Sequence, residues 1–139
     1  MQEIEFDAEG RKSKWWGYGD YYCISPHGTK IYLPYECEPP HGDSFHHLII
    51  NSKSIRGYVW CGYFLWSECG RYFTCDWFEG MRSYQKTRAT IVVAPEELIY
   101  RIVLDPAYSE VHSTLREAPQ RELWKILLSK EGLPWKKFC

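Results

Sequence analysis

Cys37, His41, His46 and His47 bring one thiol and three imidazoles into one short stretch, and these are residue types that bind zinc well. Their spacing, Cys-x3-His-x4-His-His, departs from the paired-ligand patterns of structural zinc sites. Adjacent His46 and His47 on an extended chain also point to opposite faces. A solvated polar loop is the simpler reading, and no metal is expected. A nucleophilic Cys with a His base would have to meet in space, and nothing local marks such a pair. The chain has no Gly-rich phosphate loop, no GxSxG elbow and no HExxH. Glu36, Glu38 and Asp43 lie in a proline-broken loop, a poor platform for paired catalytic carboxylates, which need a fixed separation. No catalytic residue and no cofactor are expected, and the chain reads as a non-enzyme.

The same residues serve recognition better. Trp15, Trp16, Tyr18, Tyr21, Tyr22, Tyr32 and Tyr35 crowd one segment beside the acidic loop that holds Glu36, Glu38 and Asp43. Tyr and Trp bring large contact area with few rotors, and acids at the rim suit a basic partner. The candidate partner-binding residues are Trp16, Tyr18 and Tyr35 as anchors, with Glu36, Glu38 and Asp43 as charges. The competing reading makes most of these rings core.

Composition narrows the classes. In 139 residues the aromatic share is 17%, high for an ordinary domain, while charged residues at 25% are typical. A net charge of −1 gives no basic footprint for nucleic acid. No apolar run approaches the roughly 20 residues of a membrane span, and the start MQEIEFDAEGRKSK is charged where an export signal would be apolar. A cytoplasmic protein with neither a nucleic-acid nor a membrane partner is expected. The six cysteines then read as free thiols, with Cys61 and Cys75 in the core.

The elements that must position these residues are mainly strands. Ser67-Glu68-Cys69-Gly70 joins two aromatic-rich runs, and Ser25-Pro26-His27-Gly28 repeats the pattern, so each predicts a hairpin turn closed by a left-handed Gly. Trp15 to Ile24 pairs with Thr29 to Tyr35 in the first hairpin. Phe45 to Asn51 supplies a short strand, and Asn51-Ser52-Lys53-Ser54 a turn. Tyr58 to Trp66 is apolar on both alternating faces and should be central, with Tyr58, Trp60, Phe64 and Trp66 sharing a face. Tyr72 to Phe78 carries Asp76, so one of its faces should be half covered. Thr90 to Ala94 and Leu98 to Leu104 form a further pair. Residues 107 to 117 suit a helical turn, and Gln120 to Lys130 a helix with Leu123, Trp124, Leu127 and Leu128 on one face. The expectation is a single mainly β (β-rich α+β) domain over 1–139. It comprises a loose arm (1–14), with an edge strand only where Ile4 and Phe6 alternate, antiparallel hairpins (15–104) forming a curved sheet or a sandwich, and a C-terminal segment (105–139) whose helix packs on the sheet.

Ser25-Pro26-His27-Gly28-Thr29-Lys30-Ile31-Tyr32, the Pro39-Pro40-His41-Gly42-Asp43 loop and Leu65 to Trp77 (LWSECGRYFTCDW) resemble small cytoplasmic immunity proteins of bacterial polymorphic toxin systems, including type VI secretion and Rhs-type effectors. The resemblance spans about Ser25 to Glu79. Cys69 stands where that family's hairpin often has Asp. The resemblance implies a β-rich fold without chemistry of its own, which binds one cognate toxin and occludes its active site or substrate entrance. A β-rich ligand- or peptide-binding adaptor and a Cys-dependent enzyme are the alternatives.

Overall fold

The computed structural model describes residues 2–4, 6–7, 10–11, 19–37, 44–80, 89–103, 120–129 and 133–139. The protein is mainly β, and of the two arrangements expected it adopts the sandwich. A five-stranded sheet runs β1 (Gln2–Ile4), β2 (Tyr21–Ile24), β3 (Lys30–Leu33), β6 (Ile49–Ile50) and β7 (Lys53–Ser54). A seven-stranded sheet runs β12 (Lys136–Lys137), β11 (Ile99–Val103), β10 (Ala89–Ala94), β9 (Phe73–Phe78), β8 (Tyr58–Trp66), β5 (Phe45–His46) and β4 (Tyr35–Cys37). Helix α1 (Gln120–Ser129) lies on the outer face of the larger sheet.

Both turns form as the sequence implies. Gly28 N–H donates to Ser25 O and Gly70 N–H to Ser67 O, each at a Gly of positive φ, 87° and 71°. The Ser25 hydroxyl oxygen accepts from Thr29 N–H and that of Ser67 from Tyr72 N–H, so each Ser caps its own turn. The hairpins belong to different sheets, yet their turns adjoin, because Gly70 lies against His27, Pro26 and Ser25. A third hairpin joins β6 to β7 through Asn51 and Ser52, both at positive φ, as a two-residue mirror-type turn requires.

The runs expected as single strands, Thr29 to Tyr35 and Phe45 to Asn51, each break in two and change sheets. Pro34, which lacks an N–H, separates β3 from β4, and His47-Leu48 separates β5 from β6. The crossings are tied together, since His47 N–H donates to Pro34 O. Strands that switch sheets in this way make the corners of a sandwich.

The two inner faces share one core. Tyr21, Cys23, Ile31, Leu33, Leu48 and Ile50 of the smaller sheet and its crossings meet Val59, Phe64, Trp66, Phe73, Cys75, Trp77, Ile91 and Val93 of the larger. The alternation expected along β8 does not hold. From Val59 to Phe64 the strand advances five residues while β9 advances two, from Trp77 to Cys75. The odd surplus reverses the faces, so Phe64 and Trp66 join Val59 in the core while Trp60 packs outside with Phe45 and Phe78. Gly62 stands inside this bulge, where a strand glycine commonly marks one.

β9 is not half covered. All six of its residues, including Thr74 and Asp76, are buried. Leu123, Trp124 and Leu127 of α1 cover Leu65 and Val92 on that outer face, and Tyr58, Phe45 and Trp60 surround Phe78. Leu128 completes the helix stripe expected from its spacing and is half-buried. At the N-terminus the described residues include the edge strand expected around Ile4. β1 pairs in parallel with β2, Ile4 is buried, Gly10 O accepts from Trp66 N–H, and Phe6 meets the Trp66 ring edge-on. The segment expected as a helical turn over 107–117 lies outside the described residues. Among the described residues no helix is long and apolar enough to cross a membrane.

The adjoining turns give a differential test. A Cβ on Gly28 would meet nothing within 4 Å, whereas one on Gly70 would lie 2.9 Å from His27 Cδ2. Gly28→Ala should cost about 1 kcal/mol through its left-handed φ alone. Gly70→Ala should cost more, and the excess should disappear in a His27→Ala background when urea midpoints are compared. Equal costs with His27 present would mean that the exposed His27 ring swings aside and does not brace the second turn.

Candidate functional site

The corner where β3 crosses to β4 and β5 to β6 concentrates the polar chemistry foreseen from the sequence. β4 is the last strand of the larger sheet among the described residues. Its first N–H, on Tyr35, donates to Asp20 Oδ1 at 2.8 Å. Tyr35 pairs with His46 and Cys37 with Phe45, and the register shifts between them, leaving Glu36 at a bulge. Tyr35 and Glu36 face opposite ways, as their partners show. The half-buried Tyr35 ring meets the buried His46 ring edge-on at 5.9 Å. Glu36 turns outward, where its Oε2 accepts from His47 Nε2–H at 3.0 Å, with both side chains about two-fifths exposed, 43% and 41%.

His47 and Glu36 lie over an aromatic base. The His47 ring is 4.9 Å from that of Tyr58, and Tyr58 stacks on Phe78 at 5.3 Å and meets Phe45 edge-on. Phe45, Trp60 and Phe78 are nearly solvent-free, so the base is packed and rigid, while Tyr58 keeps part of its surface. A carboxylate, an imidazole and a phenol are thus presented on a fixed platform. Such a surface suits recognition, because its side chains are ordered before a partner arrives.

His46 faces inward, the opposite side to His47, as alternation requires. Its Nδ1–H donates to Leu33 O at 3.1 Å and its Nε2 accepts from the Ser44 hydroxyl at 2.9 Å, with the Tyr21 and Tyr35 rings alongside. The ring therefore joins β5 of one sheet to the end of β3 in the other. Burial holds it neutral and lowers its pKa to about 4, against the opposing pull of the Leu33 carbonyl. Both ring nitrogens are occupied within the protein. The cluster Cys37, His41, His46 and His47 does not converge where it is described, and His41 lies outside the described residues, as do Trp16, Tyr18, Glu38 and Asp43. Among the described residues no group of three or more His, Cys, Asp or Glu side chains is placed to hold a metal ion. Of the candidate anchors and charges, Tyr35 and Glu36 are placed, and they are not on one face. His47 and Tyr58 were missed as surface residues. The opposite-face rule for adjacent histidines pointed to the first, and Tyr58 was hidden by the apolar pattern of its strand.

Among the described residues Cys23 and Cys75 are fully buried, while Cys37, Cys69 and Cys139 are exposed. Cys69, in the second turn, has its pKa lowered, chiefly by the hydroxyl of Ser67 at 3.4 Å and also by nearby Arg71. Residues of the turn itself thus account for this shift. The chain matches no protein-family model, no curated protein and no solved structure.

Two measurements follow. Because His46 is held neutral in the fold, the unfolded chain takes up a proton that the native state excludes between about pH 6.5 and 4. Its contribution is complete above pH 6.5 and is lost as pH falls toward 4, on the order of 3 kcal/mol in all. Urea unfolding across this range should show the wild type losing more stability than His46→Gln; parallel curves would contradict the buried neutral state. With iodoacetamide, Cys69 should alkylate fastest of the three exposed thiols and Ser67→Ala should slow it, and equal rates at Cys37, Cys69 and Cys139 would remove the assigned hydroxyl effect.

Proposed function

We propose that this protein is a binding protein that neutralises a cognate bacterial toxin, docking through the outer face of the β4–β5 corner and performing no chemistry of its own. The observation that carries this reading is the Glu36–His47–Tyr58 surface, an acid and two rings exposed in part on a packed aromatic base at the margin of the larger sheet. The hairpin resemblance to immunity proteins supports it from the sequence side. Glu36 would enter a basic substrate cleft of the toxin, with Tyr58 and His47 supplying contact area around it. Glu38 and Asp43 follow Glu36 in sequence and would extend the acidic surface. Trp16 and Tyr18 remain its proposed anchors, whereas Tyr35 turns toward buried His46 and away from the Glu36 face.

An enzymatic reading has one geometric argument in its favour. Ser44 Oγ, His46 and the Leu33 carbonyl are linked like a nucleophile, a base and its orienting group. Ser44 is only 2% exposed and His46 fully buried, and an imidazole with a pKa near 4 is a weak base at neutral pH. These observations favour a structural role for the pair.

The test is co-expression. A tagged copy should recover a stoichiometric partner that kills a heterologous host alone and spares it when this protein is present. With that partner in hand, Glu36→Ala, Glu38→Ala and Asp43→Ala together should slow association about tenfold at low salt and flatten its salt dependence. An unchanged rate and salt slope would remove this corner as the docking site, and a partner without toxicity would remove the neutralising role.

A further inference from the structure

A second surface lies at the ends of β9 and β11, where Arg56, Trp77 and Glu79 adjoin in sequence the Tyr58–Phe78 pair under the corner. There a cleft of about 340 Å³ has Trp77, Ile102, Leu133 and Pro134 as its apolar walls. Arg56, Glu79 and Lys136 form its polar rim. The volume is at the small end of the range of small-molecule sites.

The rim is held in place before any ligand arrives. Trp77 Nε1–H donates to Arg56 O at 2.7 Å, and Arg56 N–H reaches the Tyr100 hydroxyl at 3.4 Å. The backbone that carries the guanidinium is therefore fixed from both β9 and β11. The guanidinium bonds Glu79 through one Nη. A guanidinium has five N–H donors in a planar fork, so most of its capacity remains. The Arg56 and Glu79 side chains are 64% and 47% exposed, and an ion pair so open to water is cheaply rearranged. Lys136 is exposed and belongs to none of the ion pairs among the described residues. Among the described residues, two cations and one carboxylate thus line the cleft around an apolar floor.

We propose that this cleft binds a small amphipathic carboxylate, its apolar body on Trp77, Ile102 and Leu133 and its carboxylate between Arg56 and Lys136. The planar fork of Arg56 matches a carboxylate, and Lys136 adds a mobile point charge. A neutral ligand of the same shape would leave the excess positive charge unanswered. The site does not depend on the toxin-neutralising reading.

Naphthoate and its neutral isostere naphthamide are suitable probes, titrated into the full chain labelled with nitrogen-15. Naphthoate should shift the Trp77 indole N–H and the Lys136 amide saturably, and naphthamide should bind about tenfold more weakly. Arg56→Gln with Lys136→Gln should weaken naphthoate by a similar factor while the other indole signals stay in place, which shows that the variant is folded. Equal affinity for the acid and the amide, shifts confined to other residues, or no saturable shift up to about 10 mM would each overturn the proposal.

Discussion

The crossing of the chain between its two sheets depends on one buried imidazole. His46 belongs to the larger sheet through β5, and its Nδ1–H satisfies Leu33 O, the last carbonyl of β3 in the smaller sheet. Just beyond Leu33 comes Pro34, which cannot donate to a ladder and so ends one strand and frees the next to change sheets. Without His46, the buried Ser44 hydroxyl would lose its partner, and Leu33, which already pairs with Tyr21 of β2, would lose the bond that ties its carbonyl to the larger sheet. Leaving a buried polar group unsatisfied costs roughly 1–3 kcal/mol.

The surfaces considered for function inherit their geometry from this arrangement. Because His46 is drawn inward, its neighbour His47 must face out, and the bulge in β4 places Glu36 against it. The reversed alternation of β8 sends Trp60 outward to join Phe45 and Phe78, and that cluster supports Tyr58 and His47 from below. Other contacts shape the cleft. There the inner-face residue Trp77 uses its indole N–H on the Arg56 backbone, and the tail carrying Lys136 closes onto β11 while Cys139 exchanges both backbone hydrogen bonds with Ser54 of β7.

Local chemistry was the readable part of the sequence. Ser25 to Gly28 and Ser67 to Gly70 declare their turns through residues that only such turns favour, and Leu123, Trp124 and Leu127 declare a helix by period. Events that depend on tertiary pairing were not readable. Nothing in Thr29 to Tyr35 besides Pro34 marks a change of sheet, and β8 looks regular because its bulge inserts residues that are as apolar as their neighbours. The cover of the larger sheet's outer face was hidden because part of it, α1, lies far along the chain from Leu65. The same distance conceals the cleft, since Arg56 and Lys136 share no motif and meet only through β11 and β12. The corner was legible in part. Glu36 was picked out by charge and Tyr35 by type, but their opposite orientations follow from the pairing with β5.

The measurement closest to the central claim is the protonation state of His46, read from the nitrogen-15 shifts of its ring by long-range correlation spectroscopy. The structure requires a neutral ring with the proton on Nδ1 throughout the neutral range, titrating only near pH 4. A ring protonated on Nε2, or one that titrates near the ordinary histidine value of about 6.5, would show that it does not bridge the sheets.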